Sequence, residues 1–193
     1  MESLTKNRQN EETLRRMVGR FFHPLELQSY KELTEGYFNV AYEVTLSSGE
    51  AVILKVAPAE GVRVMTYERN IMCVEVQAME MALEHGGIPV PKVLVYDDSH
   101  TICESPYFFM EKLKGSSLHE IKDAFTQEQI NDIYKETGRI NKEINRIACP
   151  CFGYPGQPEF QGKDWYMVFR RMLKAGISDA RQGNVDLKIP QDE

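Results

Sequence analysis

Hydrophobic positions along the chain change period several times, and each change predicts an element. Leu14, Met17, Val18 and Phe21 recur at helical spacing, so residues 11–22 are expected as a short amphipathic helix, ended by His23-Pro24. The period then falls to two. Val40, Tyr42, Val44 and Leu46 alternate with more polar neighbours, and Ser47-Ser48-Gly49-Glu50 is a hairpin turn signal. Strands are expected over residues 25–32, 39–46 and 51–56. In the last of these, Ala51, Ile53 and Lys55 face one way and Val52, Leu54 and Val56 the other. A loop follows, then a helix over residues 67–85 stopped by Gly86-Gly87, with Met72, Val76, Met79 and Leu83 as its apolar stripe and Glu75 on its packed flank. Two more strands, residues 92–96 and 107–111, complete a five-stranded antiparallel sheet.

Beyond Gly115 the pattern is helical. Thr126-x-x-Gln129 has the form of a capping box, and Ile130, Ile133, Ile140, Ile144 and Ile147 make a long apolar row. A Pro/Gly-rich stretch precedes a last helix capped by Asp164, with Trp165, Val168, Phe169 and Met172 on its apolar face. The predicted class is α+β. Three regions are expected: residues 1–111 as a sheet-bearing lobe with an N-terminal helix, 112–116 as a hinge with turn chemistry, and 117–193 as an incomplete helical lobe.

Composition narrows the picture. With 193 residues, 42% hydrophobic and 27% charged, the chain has ordinary globular material for a core. The net charge of −6 argues against nucleic acid as a main partner. No apolar run reaches the roughly 18–20 residues a membrane helix needs, and the first residues lack a signal-peptide stretch, so a cytoplasmic protein away from membranes is expected. Cys73, Cys103, Cys149 and Cys151 read as free thiols, since Cys149-Pro150-Cys151 alone cannot make a zinc site.

The chemistry-bearing residues are Lys55 and Glu75. A lysine inside a strand needs an anionic partner, and a glutamate on the packed flank of a helix needs a cationic one. Together they can hold a lysine against phosphate oxygens. The plainer alternative is a lysine snorkelling from an edge strand and an unrelated surface glutamate. Gly36-Tyr37-Phe38-Asn39 lies between two strands. Glycine and asparagine tolerate the positive φ such a turn needs, and a flexible tip of this kind can present backbone N–H groups to phosphates. The alternative is an ordinary hairpin turn.

The ordered set of segments resembles the aminoglycoside phosphotransferase family of protein-kinase-like enzymes. The set comprises Glu35-Gly36-Tyr37-Phe38-Asn39-Val40-Ala41-Tyr42-Glu43-Val44, Val52-Ile53-Leu54-Lys55-Val56, Glu75, Ile88-Pro89-Val90-Pro91-Lys92-Val93-Leu94, Tyr107-Phe108-Phe109-Met110-Glu111-Lys112-Leu113-Lys114-Gly115, Gly138-Arg139-Ile140-Asn141 to Ile147 with Phe152-Gly153-Tyr154, and Asp164-Trp165 to Met172. The resemblance runs from about residue 33 to 180. It implies a kinase-like N-lobe followed by the first helices of a helical C-lobe. It implies that Lys55 binds ATP phosphates, that Glu75 pairs with Lys55, and that Gly36, Tyr37, Phe38 and Asn39 cover the triphosphate. Ala41 and Ile53 would pack on adenine, with Phe109 or Met110 behind it. The carbonyl of Glu111 and the N–H of Leu113 would read its edge. Phe108, Phe109 and Met110 equally suit a core strand.

The family's catalytic His-x-Asp-x-x-x-x-Asn loop, whose aspartate is the base and whose asparagine helps hold Mg2+, has no match in the sequence. His23, His85, His100 and His119 all lack the aspartate two positions on. The expectation is therefore a truncated enzyme with ATP as its nucleotide. The complete form would use Mg2+ and phosphorylate a hydroxyl of a small molecule such as an aminoglycoside, choline, an amino alcohol or a sugar. Two alternatives stand beside it: a non-catalytic nucleotide-binding or interaction module, and an α+β domain without a ligand. Self-association through Trp165, Phe169 and Met172 is expected in the truncated form.

Overall fold

The computed structural model describes residues 5–188. These divide into two units. The first runs to Glu60 and includes Val76–Ala148; the second comprises Gly61–Glu75 and the residues from Cys149 on.

The first unit opens with α1 (Glu11–Phe22). Asn10 caps it by accepting from the Thr13 N–H at 2.8 Å, and Glu11 and Glu12 complement the positive end of its dipole. The sheet strands are β1 (Leu27–Leu33), β2 (Val40–Leu46), β3 (Ala51–Val56), β4 (Val93–Asp97) and β5 (Tyr107–Glu111). They are antiparallel in the order β1-β2-β3-β5-β4, so β3 is the central strand. Gly49 takes the positive φ (86°) that the β2–β3 turn requires.

Alternation on these strands builds the core. Val40, Tyr42, Val44 and Leu46 of β2, Val52, Leu54 and Val56 of β3, and Tyr107 and Phe109 of β5 are buried together with Leu14, Met17 and Val18 of α1. Phe22 meets Phe109 edge-on with ring centroids 5.0 Å apart. One face of the sheet is thus closed by α1.

A polar cluster pins α1 to the sheet edge. The Tyr107 hydroxyl donates to Asp97 at 2.7 Å, and Arg20 lies 3.6 Å from the same carboxylate. Burial alone would raise the Asp97 pKa, but hydrogen bonds from Ser99 and Tyr107 and the charge of Arg20 hold it below the ordinary aspartate value. Burial and the hydrogen bond to Asp97 push the Tyr107 phenol far above its ordinary value, so it stays a neutral donor. Because the folded-state pKa of Asp97 is depressed, its contribution is present above the unfolded aspartate pKa and is lost as pH falls through the folded value. Asp97→Asn should therefore flatten the acid limb of a stability-against-pH curve measured by urea melts. Tyr107→Phe, which leaves a nearly buried carboxylate one donor short, should cost ~1–3 kcal/mol at neutral pH.

α2 (Ile71–His85) starts later than its periodicity suggests. A 3-10 turn, Thr66–Glu68, comes first, and Asn70 takes a left-handed φ of 57° before the helix begins. Of its expected stripe, Met72 and Val76 are buried, whereas Leu83 is 40% exposed. A short α3 (Leu118–Ile121) leads to α4 (Gln127–Ile144), whose capping box forms as expected between Thr126 and Gln129. No residue of α4 is buried, although its isoleucine row was the most regular apolar pattern in the sequence.

In the second unit, α5 (Trp165–Gln182) is capped by Asp164, which accepts from the Met167 N–H at 3.0 Å. The Asp179 carboxylate takes both the backbone N–H and the hydroxyl of Thr66, each at 2.8 Å. Gly153 has φ 118°, and a Cβ there would lie 1.9 Å from the Phe160 carbonyl oxygen. Cys73, Cys103, Cys149 and Cys151 are thiols. Among the described residues no helix is long and apolar enough to cross a membrane.

Candidate functional site

The face of the sheet turned away from α1 carries Ala41 of β2, Ile53 and Lys55 of β3 and Met110 of β5, whereas Glu111, paired with Val52, lies on the α1 side. Cross-strand partners share a face. Ala41 is paired with Lys55, Ile53 with Met110, and Lys55 with Phe108. Ala41, Ile53, Lys55 and Met110 therefore share one face, with Glu43 beside Ile53 on it; Ile53 and Phe108 are buried there, and Ala41, Lys55 and Met110 are half-buried. Lys55 is half-buried and its Nζ lies 5.7 Å from the centre of the Phe108 ring. Its strand is the central one, so the picture of a lysine snorkelling from a sheet edge does not apply. Phe109 pairs with Leu54 and faces α1, which leaves Met110 as the member of that pair on the Lys55 face.

The loop between β1 and β2 contains Gly36, Tyr37, Phe38 and Asn39. Gly36 is exposed, Tyr37 is 87% exposed, and Phe38 and Asn39 are half-buried. Neither Gly36 nor Asn39 adopts positive φ, contrary to the reading of their residue types. The loop instead hangs from side chains of the N-terminal segment: Lys6 donates to the Asn39 carbonyl at 2.8 Å and Thr5 to the Tyr37 carbonyl at 3.0 Å. A Cβ on Gly36 would meet nothing nearer than the Asn39 carbonyl oxygen at 3.9 Å. Gly36→Ala should accordingly leave thermal stability unchanged or raise it by up to ~1 kcal/mol, so a loss of ligand affinity in that variant would report on the loop's surface rather than on folding.

The chain leaves β5 at Glu111, and Leu113, next but one, is 57% exposed. A depression of about 670 Å3 lies here, lined by Glu50, Ala51 and residues 111–115. None of Ala41, Ile53, Lys55 and Met110 lines it. The segment is fixed on both sides. The Glu111 N–H donates to the Lys92 carbonyl at 3.0 Å and its carboxylate accepts from the Lys92 N–H at 3.2 Å. Lys112 Nζ lies 2.6 Å from Glu43 Oε1. Glu43 and Lys112 were not singled out in the sequence, though both sit two positions beyond predicted site residues, Ala41 and Met110, in the same alternation. Glu75 is on α2, half-buried, and falls in the second unit.

A sequence profile described as "Phosphotransferase enzyme family" (APH) matches residues 29–187, most of the chain. No curated protein matches. Among solved structures, similar chains include one assigned as an aminoglycoside phosphotransferase from Ralstonia eutropha JMP134 (18% identity, TM-score 0.39) and one assigned as a fructosamine-3-kinase from Thermobifida fusca YX-ER1 (18% identity, TM-score 0.42). Each alignment covers 56% of this chain, but 29% of the first and 33% of the second, so the matched part spans about a third of their length. On the profile match over residues 29–187, the chain belongs to the phosphotransferase enzyme family.

Proposed function

We propose that this chain is the nucleotide-binding part of an ATP-dependent phosphotransferase acting on a hydroxyl of a small molecule. The observation that carries the reading is the patch opposite α1, where Lys55 stands on the central strand beside Ala41, Ile53 and Met110. A flat base needs apolar surface, and a triphosphate beside it needs a fixed cation. The patch offers both within one sheet face.

On this reading adenine packs on Ala41 and Ile53, with Met110 behind it. The Glu111 carbonyl accepts from its amino group and the Leu113 N–H donates to its ring nitrogen. The Lys55 ammonium meets phosphate oxygens. The loop at residues 36–39 covers the triphosphate with backbone N–H groups. Residues 112–116 act as the hinge between the sheet-bearing lobe and the helices that follow.

In phosphoryl transfer the bond from the γ-phosphorus to the leaving nucleotide oxygen breaks, a bond to the acceptor oxygen forms, and the acceptor's proton must be taken up. The sequence has no His-x-Asp pattern to take it. Mg2+ ordinarily neutralises the phosphate charge in such reactions. Among the described residues no three His, Cys, Asp or Glu side chains are grouped to hold a metal.

The missing motif favours a second reading, a module that binds nucleotide without turning it over. Titration of the full chain with ATP, with and without Mg2+, alongside an assay for ADP release, tests both. Binding with turnover in the presence of a small-molecule hydroxyl supports the enzyme. Binding without turnover supports the module. No binding removes both.

Self-association is a further expectation. On α5, Trp165, Phe169 and Leu173 are each about half exposed; Trp165 meets Phe152 edge-on at 5.5 Å and Phe169 with tilted rings at 5.4 Å. Met172, expected beside them, is half-buried. A patch of this kind should drive concentration-dependent association in light scattering, and Trp165→Glu should reduce it.

A further inference from the structure

The ion pair between Glu43 and Lys112 joins elements that are not neighbours. β5 is hydrogen-bonded to β3, and β3 to β2. Lys112 follows the end of β5, whereas Glu43 is on β2, paired with Ile53. Adjacent strands are ~4.8 Å apart, so the pair bridges roughly 10 Å and must cross β3. It crosses on the face that carries Ala41, Ile53 and Met110, because Glu43 shares that face with its partner Ile53. The contact is tight, at 2.6 Å, and both side chains are partly shielded, with 39% and 29% exposure.

Lys112 stands between the two residues proposed to read adenine, Glu111 and Leu113. Glu111 is already anchored on the other side by its two hydrogen bonds with Lys92. The segment is therefore held from β4's approach at one position and from β2 at the next. The Lys112 tether holds this exposed run from the β2 side, next to Leu113.

We infer that the Glu43–Lys112 ion pair is a strap across β3 that positions the adenine-reading backbone at residues 111–113. This rests on the nucleotide reading and deepens it. The two side chains are positioning residues that act through the Leu113 N–H and the Glu111 carbonyl, and they set affinity for the base rather than for the phosphates.

The test is calorimetric titration of the full chain and of Glu43→Gln, Lys112→Met and the charge-exchanged double variant (Glu43→Lys with Lys112→Glu), using adenosine, ATP and inorganic tripolyphosphate. Simple electrostatics predicts opposite effects, since one variant removes a negative charge and the other a positive one. The strap predicts the same direction for both: adenosine and ATP weakened by about fivefold, the upper end of what a partly exposed ion pair can hold in place. Tripolyphosphate should change by less than about twofold, and the charge-exchanged variant should recover most of the loss. Melting temperatures separate an altered site from an altered fold. Opposite-signed effects, equal losses for tripolyphosphate, or no rescue would overturn the strap while leaving the nucleotide reading intact. Unaltered ATP binding in both single variants would do the same. Failure of the parent chain to bind adenosine or ATP would overturn both.

Discussion

Lys55→Met is expected to weaken ATP binding by about ten- to a hundredfold, the equivalent of the ~1.5–3 kcal/mol that a hydrogen bond to a charged group is worth. Lys55 supplies the cation of the Ala41–Ile53–Met110 patch, and it sits on the strand least able to move, the centre of a five-stranded sheet. Methionine keeps a long unbranched stem against the Phe108 ring, which lies 5.7 Å from the ammonium in the parent chain. The core residues of β3, Val52, Leu54 and Val56, point to the opposite face and are untouched. The melting temperature should therefore stay within a few degrees while affinity falls. Equal affinity for adenosine in parent and variant would locate the loss at the phosphates. An ATP affinity unchanged by the substitution would remove Lys55 from the site.

Phe109→Ala should be among the most damaging single changes to stability, costing about 3–5 kcal/mol in urea unfolding of the full chain. Phe109 is fully buried on the α1 side of β5. It meets Phe22 at 5.0 Å and Tyr107 at 6.3 Å, both edge-on, and sits opposite Leu54 in the ladder. Its removal opens a void where helix and sheet meet, and neighbours fixed by strand register can close it only in part. A loss of this size is a large share of the 5–15 kcal/mol typical of a domain. The adjacent residue provides the contrast. Met110→Ala, on the patch face and half-buried, should cost less stability and more ATP affinity. The two variants thus separate the faces of one strand, and equal stability costs would contradict the division of labour between them.

The sheet was largely legible because period-two alternation is a local property. Residues 51–56 and 107–111 were placed as the structure has them, and the facing of Lys55 and Ile53 against Leu54 followed from the pleat alone. The capping groups of α4 and α5 were legible for the same reason, since Thr126 and Asp164 act on N–H groups three residues away. The late start of α2 was not, because the left-handed turn at Asn70 interrupts a run whose apolar spacing continues through it. Burial of α4 also escaped the pattern: a regular isoleucine row says which face of a helix is apolar, not what covers it. Within the candidate site, the residues of one face were readable from alternation and family resemblance together. The Glu43–Lys112 pair was not, since it joins positions 69 residues apart through strand order, which no local pattern encodes.

The central claim is that nucleotide binds on the sheet face opposite α1. Its most direct measurement is a map of amide and methyl chemical-shift changes in the full chain on adding ATP. The account predicts the largest changes at Ala41, Ile53, Lys55, Met110 and Leu113 and in the loop at residues 36–39, with Leu14, Met17 and Val18 of α1 nearly unmoved. Changes centred on α1 or on α5, or none at saturating ATP, would contradict it.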